Sequence, residues 1–315
     1  MQPDLIIGNP PYDKDIYLDF VTQAHSLSTD STVMITPAKW QAKAGKKNED
    51  FRQEVVPYMR DIVYYPDTKE VFDISSPGGV TYFDTSKTSD KHKRLKVCCL
   101  KNKSLTSDFE DVYNLKALWG NKIRRIIDKC VSEKYLSDTF NFKASEYVDS
   151  TNKGYKVRQS DTDVEVVQGS DIVGFMPEFE LKTTEGLSKY KVTLNVMPGA
   201  GVVFLNDDGM SLGMNRLNLL MPNQVPKGSY FCLFTSDNIE ECESVIQYCN
   251  TNLVRFLHYL GVCSTSVTSE FFRFIPTPTA FDHTFTDEEL YTRYNLTPDE
   301  IQLIESVIKT RKTKN

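Results

Sequence analysis

The sequence has little of what marks membrane, secreted and metal-binding proteins. It contains no apolar run long enough to span a bilayer and no signal-peptide pattern, so we expect a cytoplasmic protein. Its 7 cysteines are an odd number without the paired spacing of a zinc site, which favours a reducing compartment over a disulfide framework. It has 4 histidines, and no cluster of His, Cys or carboxylates has metal-ligand spacing, so no metal is expected.

An excess of positive charge is also missing, because the formal net charge is −6. Contact with nucleic acid needs a local basic surface and not a basic total, since screening limits each charge to about 8 Å. Two local clusters exist, and we predict that both contact phosphate, with an ordinary solvated surface as the alternative. Their predicted contact residues are Lys43, Lys46 and Lys47 in one cluster and Lys91, Lys93 and Arg94 in the other.

The stretch around which the chain is organised lies at residues 5–12. The apolar run Leu5-Ile6-Ile7-Gly8 predicts a buried parallel strand, and it is followed by Asn9-Pro10-Pro11-Tyr12. An open α/β sheet binds its ligands outside the carboxyl ends of such strands. The tetrapeptide is therefore predicted to lie where chemistry takes place.

The four residues suit a reaction at an amine on a planar ring. The Asn9 side-chain oxygen and the Pro10 carbonyl can each accept a hydrogen bond from one amino group, and both prolines hold the loop stiff. Two acceptors favour a pyramidal nitrogen whose lone pair is no longer conjugated into the ring, which makes it a nucleophile. Tyr12 offers a flat face on which a base that has left the duplex can stack.

Asn-Pro-Pro-Tyr after an apolar strand resembles the catalytic motif of S-adenosylmethionine-dependent adenine-N6 DNA methyltransferases of restriction-modification systems. Later stretches resemble the family's later motifs in the same order: residues 16–27, Thr32–Trp40, Arg60–Tyr65, Glu70–Asp73 and Gly79–Phe83. The resemblance is specific over residues 4–84. It implies that Asn9, Pro10, Pro11 and Tyr12 are catalytic and that Asn9 and Pro10 touch the methyl end of S-adenosylmethionine. It also implies that Phe72 stacks on the other face of the flipped adenine.

The sequence departs from the family in one respect. The family's cofactor-binding motifs precede Asn-Pro-Pro-Tyr by several dozen residues, whereas this sequence has eight residues before Asn9. The cofactor-binding half is therefore expected to be absent, and the chain by itself is expected to be inactive. It is a fragment, a subunit whose cofactor-binding half is a separate chain, or a remnant that no longer methylates.

The length of 315 residues suggests about two domains. Residues 1–108 alternate short apolar strands with helix patterns, which predicts part of a doubly wound, Rossmann-like α/β sheet. The edge beside Leu5 to Ile7 is expected to be exposed and apolar. Residues 109–315 predict a mixed α+β domain that reads double-stranded DNA, since they loosely resemble the family's recognition regions.

Several elements of this second part are predicted in detail. We expect strands at Val202–Leu205 and Ser269–Ile275 and one long helix over Asn238–Leu260. Terminal helices are expected to begin at Thr286 and Thr297, followed by a basic tail. On the long helix, Arg255 and His258 could reach DNA, but His258 fits a packed or surface histidine better than a ligand.

Three functions remain open at this point. The first is a site-specific adenine-N6 DNA methyltransferase. The second is a glutamine methyltransferase, since enzymes that modify release factors use the same tetrapeptide on an amide nitrogen, although they do not need a long region after the sheet. The third is a non-catalytic recognition or assembly subunit.

Overall fold

Two units make up the chain in the computed structural model, Met1–Ile126 and Ile127–Asn315. The described residues are 2–41, 43, 45–65, 68–73, 78–87, 95–101, 104–110, 120–143, 146–203, 210–262, 264 and 266–311. The predicted contact residues Lys91, Lys93 and Arg94 lie outside them. The functional division predicted after residue 108 stays a prediction.

The described residues of the first unit form a six-stranded sheet with the order β1-β2-β4-β3-β5-β6. Its strands are β1 (Leu5–Gly8), β2 (Ser31–Pro37), β3 (Met59–Tyr65), β4 (Val80–Ser86), β5 (Leu95–Lys101) and β6 (Ser104–Glu110). Helix α1 (Ile16–Leu27) connects β1 to β2, and α2 (Lys46–Glu54) lies between β2 and β3 in the chain. The apolar runs that predict strands in this unit all lie in strands: Leu5–Ile7, Val33–Ile35, Ile62–Tyr65, Val80–Phe83 and Leu95–Leu100.

The sheet is mixed. The pairs β1–β2 and β3–β5 are parallel, whereas β2–β4, β3–β4 and β5–β6 are antiparallel. Strand β4 runs antiparallel to β3, and the described part of their connection holds a short 3-10 turn, Thr68–Glu70. The predicted α/β class is confirmed. The doubly wound arrangement stays a prediction.

Helix α2 is shorter than the apolar pattern of the sequence predicts. The pattern extends from Glu49 to Met59, but the helix ends at Glu54 and a 3-10 turn covers Val56–Tyr58. Pro57 has no backbone N–H and cannot continue the helical hydrogen bonds, so the chain turns there and enters β3.

One face of this sheet holds the core of the first unit. Met34, Phe83 and Ile62 from three neighbouring strands are buried there against α1, α2 and the indole of Trp40. Ile6 joins the core from β1, whereas Leu5 and Ile7 alternate to the other face and are 49% and 72% exposed. Strand β1 ends the sheet among the described residues, so the exposed apolar edge predicted from the sequence is confirmed.

The second unit contains two three-stranded sheets in its described part, with the orders β11-β7-β8 and β10-β9-β12. Their strands are β7 (Val164–Gln168), β8 (Asp171–Met176), β9 (Tyr190–Asn195), β10 (Asn218–Leu220), β11 (Gln224–Pro226) and β12 (Tyr230–Ser236). The helices from residue 120 onward are α3 (Gly120–Lys129), α4 (Leu136–Thr139), α5 (Ala200–Val203), α6 (Ile239–Asn250), α7 (Asn252–Gly261), α8 (Asp287–Arg293) and α9 (Pro298–Val307). Helices α8 and α9 begin at the predicted caps, Thr286 and Thr297.

The prediction of one long helix over Asn238–Leu260 is wrong in one respect. Thr251 adopts an extended backbone with ψ of 152°, and this ends α6. Its side chain then accepts a hydrogen bond from the Val254 N–H and caps α7. An apolar periodicity that continues through Thr251 hides the break, because the two helices bury residues at similar spacing.

Two strand predictions are also wrong. Val202 and Val203 lie in the short helix α5, and Ser269–Phe272 forms a 3-10 turn. Phe271 and Phe272 are fully buried and pack edge-on against the His258 ring. A short apolar run is compatible with a strand or a buried helical turn, and periodicity alone does not separate them.

The segment after α9 is built into the fold of the second unit. The Ser211 N–H donates to the Val307 carbonyl (2.7 Å), and the Lys309 N–H donates to the Ser211 carbonyl (2.8 Å). Arg311 donates to the Asn250 side chain (2.5 Å) and to the Met214 carbonyl. Residues 307–311, which include the beginning of the predicted basic tail, therefore belong to the folded unit.

Candidate functional site

One edge of the first sheet holds the carboxyl ends of β1, β2 and β3, together with that of β5, which is parallel to β3. Strands β1 and β2 are parallel, and β2 and β3 are each antiparallel to β4, so β1, β2 and β3 run in the same direction. Their carboxyl ends therefore lie at the same edge. The segments that leave this edge are Asn9–Tyr12 after β1, Ala38–Gln41 after β2 and Thr68–Glu70 after β3.

The Asn-Pro-Pro-Tyr loop (Asn9–Tyr12) combines an exposed polar side chain with a buried proline that holds its backbone in place. Asn9 is exposed, and its amide has no hydrogen-bond partner among the described residues. Pro10 is buried directly after it, and Pro11 is exposed. The Asn9 amide is thus available to an incoming ligand, while the proline that follows holds the backbone in place.

Tyr12 is half-buried and attached to the core of the first unit. Its ring meets the ring of Tyr17 edge-on, with centroids 6.4 Å apart. The Tyr12 hydroxyl is buried without a hydrogen-bond partner among the residues described, and burial raises the pKa of this phenol. The hydroxyl therefore stays protonated at neutral pH, and the ring serves as an apolar surface.

Asp15 lies between two lysines that follow β2. Its Oδ1 is 2.9 Å from the Lys39 Nζ, and its Oδ2 accepts a hydrogen bond from the Lys43 Nζ. The carboxylate is buried, with 7% of the residue exposed. Burial alone would raise the pKa of Asp15, but the hydrogen bonds from Lys43 and Lys39 lower it below the ordinary value. The carboxylate is therefore ionised, and it links the segment that follows β1 to the segment that follows β2.

A second pair repeats this contact one helical turn later. The Lys47 Nζ donates to the Asp19 Oδ2 (2.7 Å), and both side chains are largely exposed. Lys46 is exposed and makes no ion pair within the described part of the chain. Of the three lysines predicted to contact DNA from this cluster, two thus have a carboxylate partner. Their contact with DNA stays a prediction.

Sequence reasoning missed Asp15, Lys39 and Arg52. Arg52 donates from Nη1 to the carbonyls of Trp40 (2.6 Å) and Lys43 (3.0 Å), which holds the loop that carries the lysines. A signal was present, because Asp15 and Asp19 are four residues apart and so are Lys39, Lys43 and Lys47. Two charge series of opposite sign at helical spacing indicate a pair of facing segments.

Phe72 is half-buried, and its N–H donates to the Thr68 carbonyl (2.8 Å). It follows β3, which is three strand positions from β1, a distance of roughly 14 Å at the usual strand spacing. The described contacts do not join Phe72 to the Asn-Pro-Pro-Tyr loop. Its stacking role stays a prediction.

In the second unit, Arg255 and His258 are buried. Arg255 donates to the carbonyls of Asn250 (3.0 Å), Leu212 (3.3 Å) and Lys309 (2.8 Å), so its guanidinium stabilises loops, and the prediction that it reaches DNA is wrong. The His258 Nδ1 lies 2.7 Å from the Gly213 carbonyl, and burial lowers the pKa of the imidazole to about 4. The interpretation of His258 as a packed histidine is confirmed.

Metal-ligand and membrane features were also predicted to be absent. The described residues contain no group of three or more His, Cys, Asp or Glu side chains placed to hold a metal ion. None of the helices in the described ranges is long and apolar enough to cross a bilayer.

Comparison with known proteins gives distant structural similarity alone. No protein-family model and no curated protein matches the chain. A chain from a study of complex assembly and conformational transition of the type I R-M system is similar over 31% of this chain and 24% of its own length, with 13% identity and a TM-score of 0.25. The type IIG restriction endonuclease BpuSI is similar over 89% of this chain and 44% of its own, with 11% identity and a TM-score of 0.33. The chain therefore spans less than half the length of either structure, and likeness at these TM-scores assigns no activity to it.

Proposed function

We propose that the chain carries the catalytic loop and the target-recognition region of a site-specific adenine-N6 DNA methyltransferase of a restriction-modification system. One observation carries the proposal: the exposed, unpaired amide of Asn9 stands before a buried proline at the carboxyl end of β1, beside the carboxyl end of the parallel strand β2. Ligands of α/β sheets bind at this position, and the amide has the acceptor that an exocyclic amine requires.

The proposed reaction begins with an adenine extruded from the duplex. The Asn9 side-chain oxygen and the Pro10 carbonyl accept hydrogen bonds from the two N6 hydrogens, which localises the lone pair on N6. With S-adenosylmethionine bound, this lone pair would take the methyl group from the sulfonium sulfur, which would leave as a thioether. N6 then loses one proton to solvent. Stacking on Tyr12 offsets part of the lost base stacking.

S-adenosylmethionine is the proposed methyl donor, and when bound it supplies an electrophilic methyl group on a sulfonium sulfur. We assign the contacts with its methyl-bearing end to Asn9 and Pro10, which follow β1 directly. We propose that its other contacts come from a cofactor-binding half in the same polypeptide or in a separate chain. Double-stranded DNA is the proposed substrate of the second unit.

The decisive experiment uses the complete locus, meaning the coding sequence of this chain with its native flanking coding sequence on both sides. It is expressed in a host without adenine methylation, and genomic DNA is read by sequencing that detects N6-methyladenine. We expect methylation at one short sequence motif with the wild-type locus and none with Asn9→Ala. DNA that remains unmethylated by the wild-type locus would overturn the proposal.

The same cells separate the two alternatives. A glutamine methyltransferase would leave DNA unmodified and add a methyl group to a protein glutamine, which mass spectrometry detects. A non-catalytic subunit would modify neither. The second unit, Ile127–Asn315, favours the DNA enzyme, because a glutamine methyltransferase does not need a region of this size after its sheet.

A further inference from the structure

Asp15 and its two lysines connect the segments that follow β1 and β2, which are called the β1 and β2 exits below. The group of Asp15, Lys39 and Lys43 is called the Asp15 clasp here. Its carboxylate follows Tyr12 by three residues, and its lysines come from the segment directly after β2. Both exits lie at the same edge of the sheet. The clasp therefore sets the distance between the Asn-Pro-Pro-Tyr loop and the neighbouring exit.

The backbone at the clasp adopts an unusual conformation. Lys14 and Asp15 have φ of 43° and 62°, in the left-handed region that residues other than glycine rarely occupy. Such residues are strained and persist when the surrounding structure holds them in this conformation. The two ion pairs of Asp15 supply that hold, since the carboxylate reaches both lysines from this left-handed turn. Without them the turn would relax.

Relaxation of this turn would displace the Asn9 amide, because the loop between them is stiff. Pro10 and Pro11 have fixed φ, so a movement at residues 13–15 is passed along the loop and not absorbed in it. Tyr12 takes part in the same assembly, because its ring packs against Tyr17 and the Lys39 ammonium lies 5.7 Å from the Tyr17 ring centroid. The clasp thus orients the amide and the stacking ring together.

We propose that Asp15 is a positioning residue for methyl transfer, which acts through its ion pairs with Lys39 and Lys43 by fixing the Asn9 amide and the Tyr12 ring relative to the β2 exit. The inference rests on the function proposed above and adds to it a residue outside the tetrapeptide. Asp15 does not contact the reacting atoms in this role. Its loss should therefore lower turnover much more than it weakens binding of DNA.

The test measures kcat and KM for a duplex substrate, using enzyme purified from the complete locus as wild type and as Asp15→Asn. Asparagine keeps the size of the side chain and tolerates the left-handed backbone, so this change removes mainly the charge. We expect kcat to fall about 10- to 100-fold, the scale of a misplacement of roughly 1 Å, with KM for DNA changed less than about threefold.

Asp19→Asn is the matched control, because it removes the same charge from the largely exposed pair one helical turn later. It should leave kcat within about twofold of wild type. Lys43→Met should lower kcat less than Asp15→Asn does, because it leaves the Lys39 ion pair in place. The double variant should be no worse than Asp15→Asn alone, since the Asp15 change already breaks both ion pairs. Circular dichroism at the assay temperature verifies that each variant is folded.

The outcomes separate the two proposals. A wild-type enzyme that does not methylate adenine overturns the proposed function and this inference with it. A wild-type enzyme that methylates, together with a folded Asp15→Asn that keeps its kcat within about twofold, overturns the role of Asp15 alone. Equal losses in Asp15→Asn and Asp19→Asn would mean that both act through the general stability of α1, which also overturns it.

Discussion

At the scale of single residues, Asn9 is the group on which the proposed chemistry depends most directly. Asn9→Ala removes an acceptor aimed at the reacting amine and leaves the buried Pro10 in place. We expect the barrier to rise by about 2 to 4 kcal/mol, the usual effect of removing one preorganised hydrogen-bonding group. Single-turnover methylation of a duplex by enzyme from the complete locus measures this. Near-native turnover would contradict the assignment.

Tyr12 and Phe72 are expected to hold the extruded base between them. Tyr12→Phe should change base trapping little, because the hydroxyl has no partner among the described residues and the ring remains. Tyr12→Ala and Phe72→Ala should each weaken trapping by about 1 to 3 kcal/mol, the usual contribution of one aromatic stack. The fluorescence of 2-aminopurine at the target position reports the extruded base. If Phe72 only packs under its own turn, Phe72→Ala will lower thermal stability and leave this fluorescence unchanged.

His258 gives the second unit an acid-sensitive stability. Its pKa is about 4 in the folded chain and 6.5 ordinarily, because burial disfavours the charged ring. Between these values the unfolded chain binds the extra proton, so stability is complete above about pH 6.5 and falls as the pH drops towards 4. The loss should reach up to about 3 kcal/mol.

Urea unfolding at pH 7 and pH 4.5 measures this loss, and His258→Gln should show less of it. His283→Gln is the control, since the ring N–H of the exposed His283 donates a hydrogen bond to the Asp282 carboxylate, which raises the pKa of His283 and gives the opposite dependence on pH. A wild-type pH dependence retained in His258→Gln would contradict the prediction.

At the scale of elements, the sequence predicts best where one local signal decides the structure. Apolar runs locate β1 to β5, and Thr286 and Thr297 mark their helices because a cap acts within four residues. The run at Ser269–Ile275 fails, because its phenylalanines are buried against His258 by tertiary packing that no local pattern records. At the site, the tetrapeptide is readable from the sequence, whereas for Asp15 the signal is limited to the four-residue spacing of the charges, because its partners lie 24 and 28 residues further along the chain.

The free edge at β1 predicts self-association. Ile7 is 72% exposed on a strand that ends the sheet among the described residues, and such apolar edges pair with other chains. Purified chain should form oligomers whose fraction rises with concentration, and Ile7→Lys should reduce it. Phe20→Lys is the matched control, because Phe20 is 48% exposed on α1 and offers no strand edge. Analytical ultracentrifugation gives the sizes, and equal effects of both changes would contradict pairing at β1.

At the scale of the whole molecule, binding to DNA should depend steeply on salt in spite of the net charge of −6. If the predicted lysines and Arg94 all contact phosphates, log K should fall against log[salt] with a slope of about −5, or about a thousandfold between 50 and 200 mM. Lys46→Met should reduce the slope by about 1. Lys47→Met should reduce it less, because Asp19 already pairs with Lys47. Fluorescence anisotropy of a labelled duplex measures the slope for wild type and for each variant. A slope for Lys46→Met equal to that of wild type would contradict a role for Lys46.

Because residues 307–311 are part of the folded second unit, they also constrain when this unit can fold during synthesis. Ser211 forms backbone hydrogen bonds with Val307 and Lys309, and the guanidinium of Arg255 donates a hydrogen bond to the Lys309 carbonyl. A ribosome makes residue 211 long before residue 307, so the chain around Ser211 and the buried charge of Arg255 lack these partners throughout that interval. The second unit therefore completes its fold only after Arg311 has left the exit tunnel, whereas the sheet of the first unit can close earlier during synthesis.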